Sequence, residues 1–203
     1  MFDSKISVSS LIEDLKTEID VALPISNKTY VTWLNGLEQL LYSEFIREHG
    51  KIIITSPISN PIDIDSVIVP ANESPIRFED VYTVFADEIQ LIKSTTVSGI
   101  IFPNTYYKQG TDIGYNVPST PAKLTIVYFV KPAIKTVSES DVIGTGNLML
   151  PLEFIDLMKS KLRGEAYKLA NEDSLAAKWI NDYNVLLENF KAWISSRQAQ
   201  FGM

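Results

Sequence analysis

Lys123-Leu124-Thr125-Ile126-Val127-Tyr128-Phe129-Val130 leads into Lys131-Pro132, and a polar stretch separates it from Leu150-Pro151-Leu152-Glu153-Phe154. The first run is rich in β-branched and aromatic residues, so it predicts a strand that proline brings to an end. The second opens a helical pattern. Ile155, Met158, Leu162, Ala166 and Leu169 recur every three or four residues, as do Ala176, Ile180, Tyr183, Leu187, Phe190 and Ile194. Asn171-Glu172-Asp173-Ser174 interrupts the stripe, and Asp173 or Ser174 can cap the second helix.

Upstream of the strand the pattern is β-like. Ile52-Ile53-Ile54 predicts a buried strand, and Ile62, Ile64, Val67 and Val69 predict short extended pieces between Pro57, Pro61 and Pro70. Val81–Phe85 and Ile89–Ile92 flank Ala86-Asp87-Glu88 as a hairpin would, and Val97–Phe102 predicts a further strand. Residues 103–121, with Gly110, Gly114 and Pro118, read as a long connection of the kind that carries function or lacks order.

The first 50 residues return to helical periodicity. Ser10 and Glu13 have the spacing of a capping box ahead of Leu15 and Ile19, and Pro24 stops that helix. A second helix starts after Ser26 or Asn27, with Tyr30, Trp33, Leu34, Leu37, Leu41 and Phe45 on one face and Gly50 placed to end it. The expected class is α+β: a helical bundle formed by the N- and C-terminal helices, with a central β-rich region. The expected divisions are N-terminal helices over 1–50, a β-rich region over 51–132, a linker over 133–149 and C-terminal helices over 150–203.

At 203 residues the chain can bury roughly 70% of its unfolded surface without staples. It has no cysteine, which excludes disulfides, thiolate zinc sites and a cysteine nucleophile. Met1–Lys5 lacks a basic region followed by an apolar core, so no secretory leader is expected, and no apolar run has the length of a membrane span. The formal net charge is −7; residues 151–203 carry seven acidic and seven basic side chains, so the surplus lies in the first 150. That balance disfavours a protein that grips phosphates.

Catalytic patterns are sparse. His49, the single histidine, reads as a helix-end residue beside Gly50 rather than a base or a metal ligand. Asp63 and Asp65 would share one face of an extended strand, with Glu73, Glu79 and Asp80 next along the chain, but the spacing is not that of a calcium loop. Gly144-Thr145-Gly146 lacks the rest of a phosphate loop, and no Gly-x-Ser-x-Gly elbow occurs. Trp33 and Trp179 sit beside core stripes. Trp193, with Arg197 and Phe201 after it, has the composition of an interface anchor and equally of a helix end packed on its own domain.

Phe129-Val130-Lys131-Pro132, Leu150–Phe154, Asn171–Asp173, Ala176–Trp179 and the helix around Trp33-Leu34-Asn35-Gly36-Leu37-Glu38 resemble segments of tailed-bacteriophage head-to-tail connector (portal adaptor) proteins. The resemblance covers both helical ends and little of the middle. It implies a non-enzymatic virion protein without cofactor or metal, made in the host cytoplasm and placed in the neck between capsid and tail. Copies would form a ring of about twelve below the portal, extending the DNA channel. The implied partners are the portal protein, the next neck or tail protein, other copies of this chain, and double-stranded DNA in transient, non-specific passage, with no membrane. Trp193, Arg197 and Phe201 would meet the portal. Tyr106, Tyr107, Lys108, Asp112 and Tyr115 would meet the downstream ring. Other readings are a tail-terminator or baseplate subunit, a carboxylate-based hydrolase using acids near Asp63–Asp80, and a carbohydrate-binding surface of Tyr82, Tyr106, Tyr107 and Tyr115.

Overall fold

The computed structural model describes residues 6–20, 24–94 and 102–201, with side chains as far as Arg197. The chain is α+β and divides into two compact units, Met1–Ile46 with Ile134–Met203, and Arg47–Ala133.

The first unit begins with α1 (Val8–Glu18) and α2 (Asn27–Leu41). Ser7 rather than Ser10 caps α1: its hydroxyl accepts from the Ser10 N–H at 3.1 Å, so the helix starts a turn earlier than the Ser10/Glu13 spacing predicts. Ser26 caps α2 in the same way, accepting from the Thr29 N–H at 3.2 Å. The helix does not run on to Gly50. It relaxes into a π-helical turn over Tyr42–Ile46, and the chain leaves through Arg47 at positive φ.

The second unit is a six-stranded mixed sheet curled into a half-barrel. Its strands are β1 (His49–Thr55), β2 (Val81–Ala86), β3 (Ile89–Lys93), β4 (Thr105–Gln109), β5 (Asp112–Asn116) and β6 (Lys123–Phe129). They lie in the order β1-β6-β2-β3-β4-β5. All neighbours are antiparallel except β3 and β4. Leu124, Ile126 and Tyr128 of β6 face inward with Val81, Val84 and Ala86 of β2 and Leu91 of β3, all nearly fully buried.

Residues 103–121 are not an irregular connection; they form the β4–β5 hairpin, turned at Gly110 with φ +67°. Ile62 to Val69 holds no strand: Ile62 makes a single bridge to Ile113, and Asp63 caps a 3-10 turn over Ile64–Ser66 by accepting from the Asp65 N–H at 3.0 Å. Gly50 belongs to β1, opposite Tyr128. The strand expected at Val97–Phe102 falls largely outside the described residues, and Phe102 itself is exposed and unpaired in any strand.

Gly50 is required by packing. A Cβ there would stand 2.2 Å from the Tyr128 ring, whose hydroxyl is tied to Glu73. Gly50→Ala therefore forces the ring or β1 to shift, and should cost about 1–3 kcal/mol in urea unfolding. An unchanged midpoint would mean the ring yields freely.

The helical unit resumes with α3 (Ile155–Leu169) and α4 (Asp173–Phe201), which pack along each other. The expected bundle of N- and C-terminal helices does not form. What overturns it is a β layer that is one continuous six-stranded sheet, and helices of which only α3 and α4 associate extensively. The difference is greatest at residues 133–149, expected as a polar linker, which with Leu150 carry buried contacts to the N-terminal helices. They run as a strap along α2 and reach the start of α1, where the Val8 N–H donates to the Gly146 carbonyl at 3.0 Å. Leu148, Met149 and Leu150 are at most 1% exposed. Asp141 accepts from the Asn27 and Lys28 N–H groups at 3.1 and 3.2 Å, and Tyr42 donates to the Met149 carbonyl at 2.6 Å. Asn35 brackets the Lys135 backbone at 2.8 and 2.9 Å. Glu38 takes the Lys135 ammonium and the Met149 N–H.

Candidate functional site

Three surfaces are candidates, one on the helical unit and two on the sheet unit. The first is the C-terminal half of α4. Phe190 is fully buried and meets Phe154 edge-on at 4.9 Å; Trp193 lies 5.1 Å from Phe154 and is only partly covered. Arg197, one helical turn on, stacks on the Trp193 ring at 4.9 Å. Trp193 is thus half core and half surface, an aromatic whose inner edge is fixed by its own unit. The Phe201 side chain lies outside the described residues.

The second surface is the β4–β5 hairpin. It brings Tyr106, Tyr107, Lys108, Asp112 and Tyr115 onto one two-stranded element. It does not present all five. Tyr106 and Tyr115 are 1% and 5% exposed, and their hydroxyls are raised above the usual range by burial. They anchor the hairpin, so the expected contact set contracts to Tyr107, Lys108 and Asp112 near the tip. Lys108 donates to Glu79 at 2.5 Å, and both residues remain largely solvated.

The third surface was not legible as a site. Along β1, His49, Lys51, Ile53 and Thr55 face outward, with Phe129, Val127, Thr125 and Lys123 of β6 beside them. Tyr82 joins from a bulge in β2, 4.6 Å from the His49 ring and 5.5 Å from Phe129. Ile53, Tyr82 and Ile92 are each more than half exposed. Ile52-Ile53-Ile54 reads as a fully buried strand, yet the alternation of His49, Lys51, Ile53 and Thr55 with Gly50, Ile52 and Ile54 was the available signal that one face is open. His49 is a strand residue in an aromatic cluster, not a helix-end residue.

The carboxylates near Asp63–Asp80 answer to separate partners. Asp63 caps its 3-10 turn, Glu79 takes Lys108, and Asp80 takes Lys131 and the Arg77 N–H. Glu73 is buried and accepts from the Tyr128 hydroxyl at 2.7 Å. Desolvation is the main reason its carboxyl is held above the usual range; the Tyr128 bond opposes the shift, and the nearby Glu48 charge adds to it. A raised folded value means the neutral acid is the stabilised form. The contribution is complete below the unfolded value of 4.5 and is lost as pH rises through the higher folded value. Glu73→Gln should therefore flatten the fall in stability from pH 4.5 upward, since Gln can still accept from Tyr128. Urea midpoints across that range test this, and an unchanged slope would contradict it.

Among the described residues no three His, Asp or Glu side chains group as a metal-binding set. No described helix is long and apolar enough to cross a membrane. On the helical unit, Arg163 stacks on Trp179 at 4.4 Å beside a shallow groove of about 470 Å³ that also includes Asp156, Ser160 and Asp182. Trp179 is half-buried there rather than in the core. No protein-family model matches the chain, and no curated protein matches it.

Proposed function

We propose that this chain is a structural subunit of a tailed-phage neck: a head-to-tail adaptor that joins copies of itself into a ring below the portal and extends the DNA channel towards the tail. The observation that carries the reading is the outer face of the sheet. Ile53, Tyr82 and Ile92 stand exposed on the same face of the sheet as Val127, Phe129 and Phe85, a group of exposed apolar side chains of the kind that marks a protein–protein contact. The resemblance of Phe129–Pro132, Leu150–Phe154, Asn171–Asp173 and Ala176–Trp179 to connector proteins favours this assembly over others.

Trp193 and Arg197 on α4 are the proposed portal contact, with Phe201 following them in sequence. Tyr107, Lys108 and Asp112 at the hairpin tip are the proposed contact with the next ring. The channel wall would repel phosphates through carboxylates, at ranges below about 10 Å in salt. Binding and shape are the whole mechanism; no bond is made or broken. Deleting 197–203 and measuring co-sedimentation with the portal tests the portal contact. The expected result is loss of association with the fold retained, and undiminished association would refute it.

A further inference from the structure

The two edges of the six-stranded sheet are treated differently. At the β5 edge, Ile62 exchanges backbone bonds with Ile113 at 2.8 and 3.1 Å, and the Asn60 side chain clamps the Tyr115 carbonyl and N–H at 2.8 and 3.2 Å. That edge is sealed by the chain's own 60–62 segment. At the β1 edge no described strand follows. The Glu48 carbonyl and the Ser56 N–H both bond towards β6, so by alternation Gly50, Ile52 and Ile54 do too. The N–H and C=O groups of His49, Lys51, Ile53 and Thr55 therefore point away from the sheet. This edge is seven residues long, has no proline, and has Ile52-Ile53-Ile54 at its centre. Such an edge is a template for another strand.

The geometry points to β1 of a second copy as that strand, paired antiparallel about a two-fold axis at Ile52. In this register Lys51 lies opposite Ile53, His49 opposite Thr55, Gly50 opposite Ile54, and Ile52 opposite itself. Every residue of β1 is used, and the outward-pointing backbone groups fall into hydrogen-bonded pairs. The neighbouring register, in which Lys51 faces Lys51, sets like charges against each other. Lys51 thus selects the register rather than forbidding the contact. His49–Thr55 contains no carboxylate, so nothing in it calls for a basic partner strand. The apolar outer face continues across the junction from Ile53 to its symmetry mate. A groove of about 520 Å³ beside the edge, lined by Ile52, Ile54, Ile58, Ile62 and Ile68, receives the inner side chains of the added strand.

This contact closes at two copies and does not rest on the neck reading, which needs a head-to-tail interface. Sedimentation of the free full-length chain should give twice the 22.8 kDa chain mass. Ile53 is 53% exposed, so Ile53→Lys leaves the fold intact while placing lysine opposite Lys51 twice; dimerisation should weaken about tenfold or more. Adding Lys51→Glu to that variant sets Glu against Lys across the axis and should restore the dimer. The chain has no cysteine, so Ile52→Cys supplies one thiol, which should oxidise to a disulfide-linked dimer. A free chain that stays monomeric at about millimolar concentration, where an association of only about 4 kcal/mol would already populate the dimer, would overturn the inference. So would a dimer that survives Ile53→Lys, or one that the double variant fails to restore. A ring formed only with portal, from a chain monomeric alone, would overturn it and leave the neck reading standing.

Discussion

Glu38→Ala should destabilise the helical unit by about 3–5 kcal/mol, the usual consequence of removing one partner of a buried ion pair. Glu38 and Lys135 have side chains 1% and 4% exposed. The carboxylate meets the ammonium with one oxygen and takes the Met149 N–H with the other at 2.7 Å. Alanine leaves a cation in a dry site and a backbone donor without its acceptor. In a chain of this length the melting temperature should fall by roughly 6–20 °C. The double variant Glu38→Met/Lys135→Met removes both charges and leaves only the Met149 donor unsatisfied, at about 1–3 kcal/mol. The double variant should therefore be more stable than the single one. Equal losses would mean that the ammonium left without its carboxylate costs nothing in this site, contradicting a dry environment for it.

Phe190→Ala should cost a similar amount, about 3–5 kcal/mol, as large-to-small changes at fully buried aromatics do. Phe190 is 0% exposed and packs between Phe154 at 4.9 Å and Trp193 at 6.3 Å. Phe154 lies at the start of α3, so the cavity would loosen the contact between the opening of α3 and the far part of α4. It would also free the inner edge of Trp193. Near-UV circular dichroism should lose tryptophan signal while helix content is retained. A loss below about 1 kcal/mol would place the main core of α4 nearer Tyr183.

The elements that were legible carry local signals strong enough to survive any tertiary context. The Ser26 cap with the stripe through Leu34, Leu37 and Leu41 marks α2, and the β-branched run Lys123–Val130 marks β6. The hairpin around Asp87-Glu88 is marked by two apolar runs and a polar turn. Polarity is a poor guide to exposure in this chain. Residues 133–149 contain Lys135, Ser138, Glu139, Ser140 and Asp141, yet Lys135 is buried because Glu38 waits for it from a position far away in sequence. Asp141 looks like a solvated acid and is the N-terminal clamp of α2. Partners separated by about a hundred residues leave no trace in a local window. The same holds for 103–121, where Gly110 and Gly114 suggested a loose connection. Gly110 is the turn, and Gly114 makes room for the Tyr107 ring across the hairpin.

The site was legible unevenly. Trp193 and Arg197 do come together, by helical spacing alone. Tyr106 and Tyr115 group with their neighbours in the sequence because strand alternation cannot be applied where no strand is expected. The outer face of the sheet was missed because Ile53 lies within a triplet of isoleucines, and Tyr82 reaches that face only through a bulge opposite β6. A bulge has no dependable sequence mark.

The central claim is that the chain works by assembling into a collar on a portal. Electron microscopy of the purified full-length chain mixed with its portal tests it most directly. The account predicts a closed ring of about twelve copies seated on the portal, coaxial with its channel. Portal particles left bare at saturating chain, or carrying isolated off-axis copies, would contradict it.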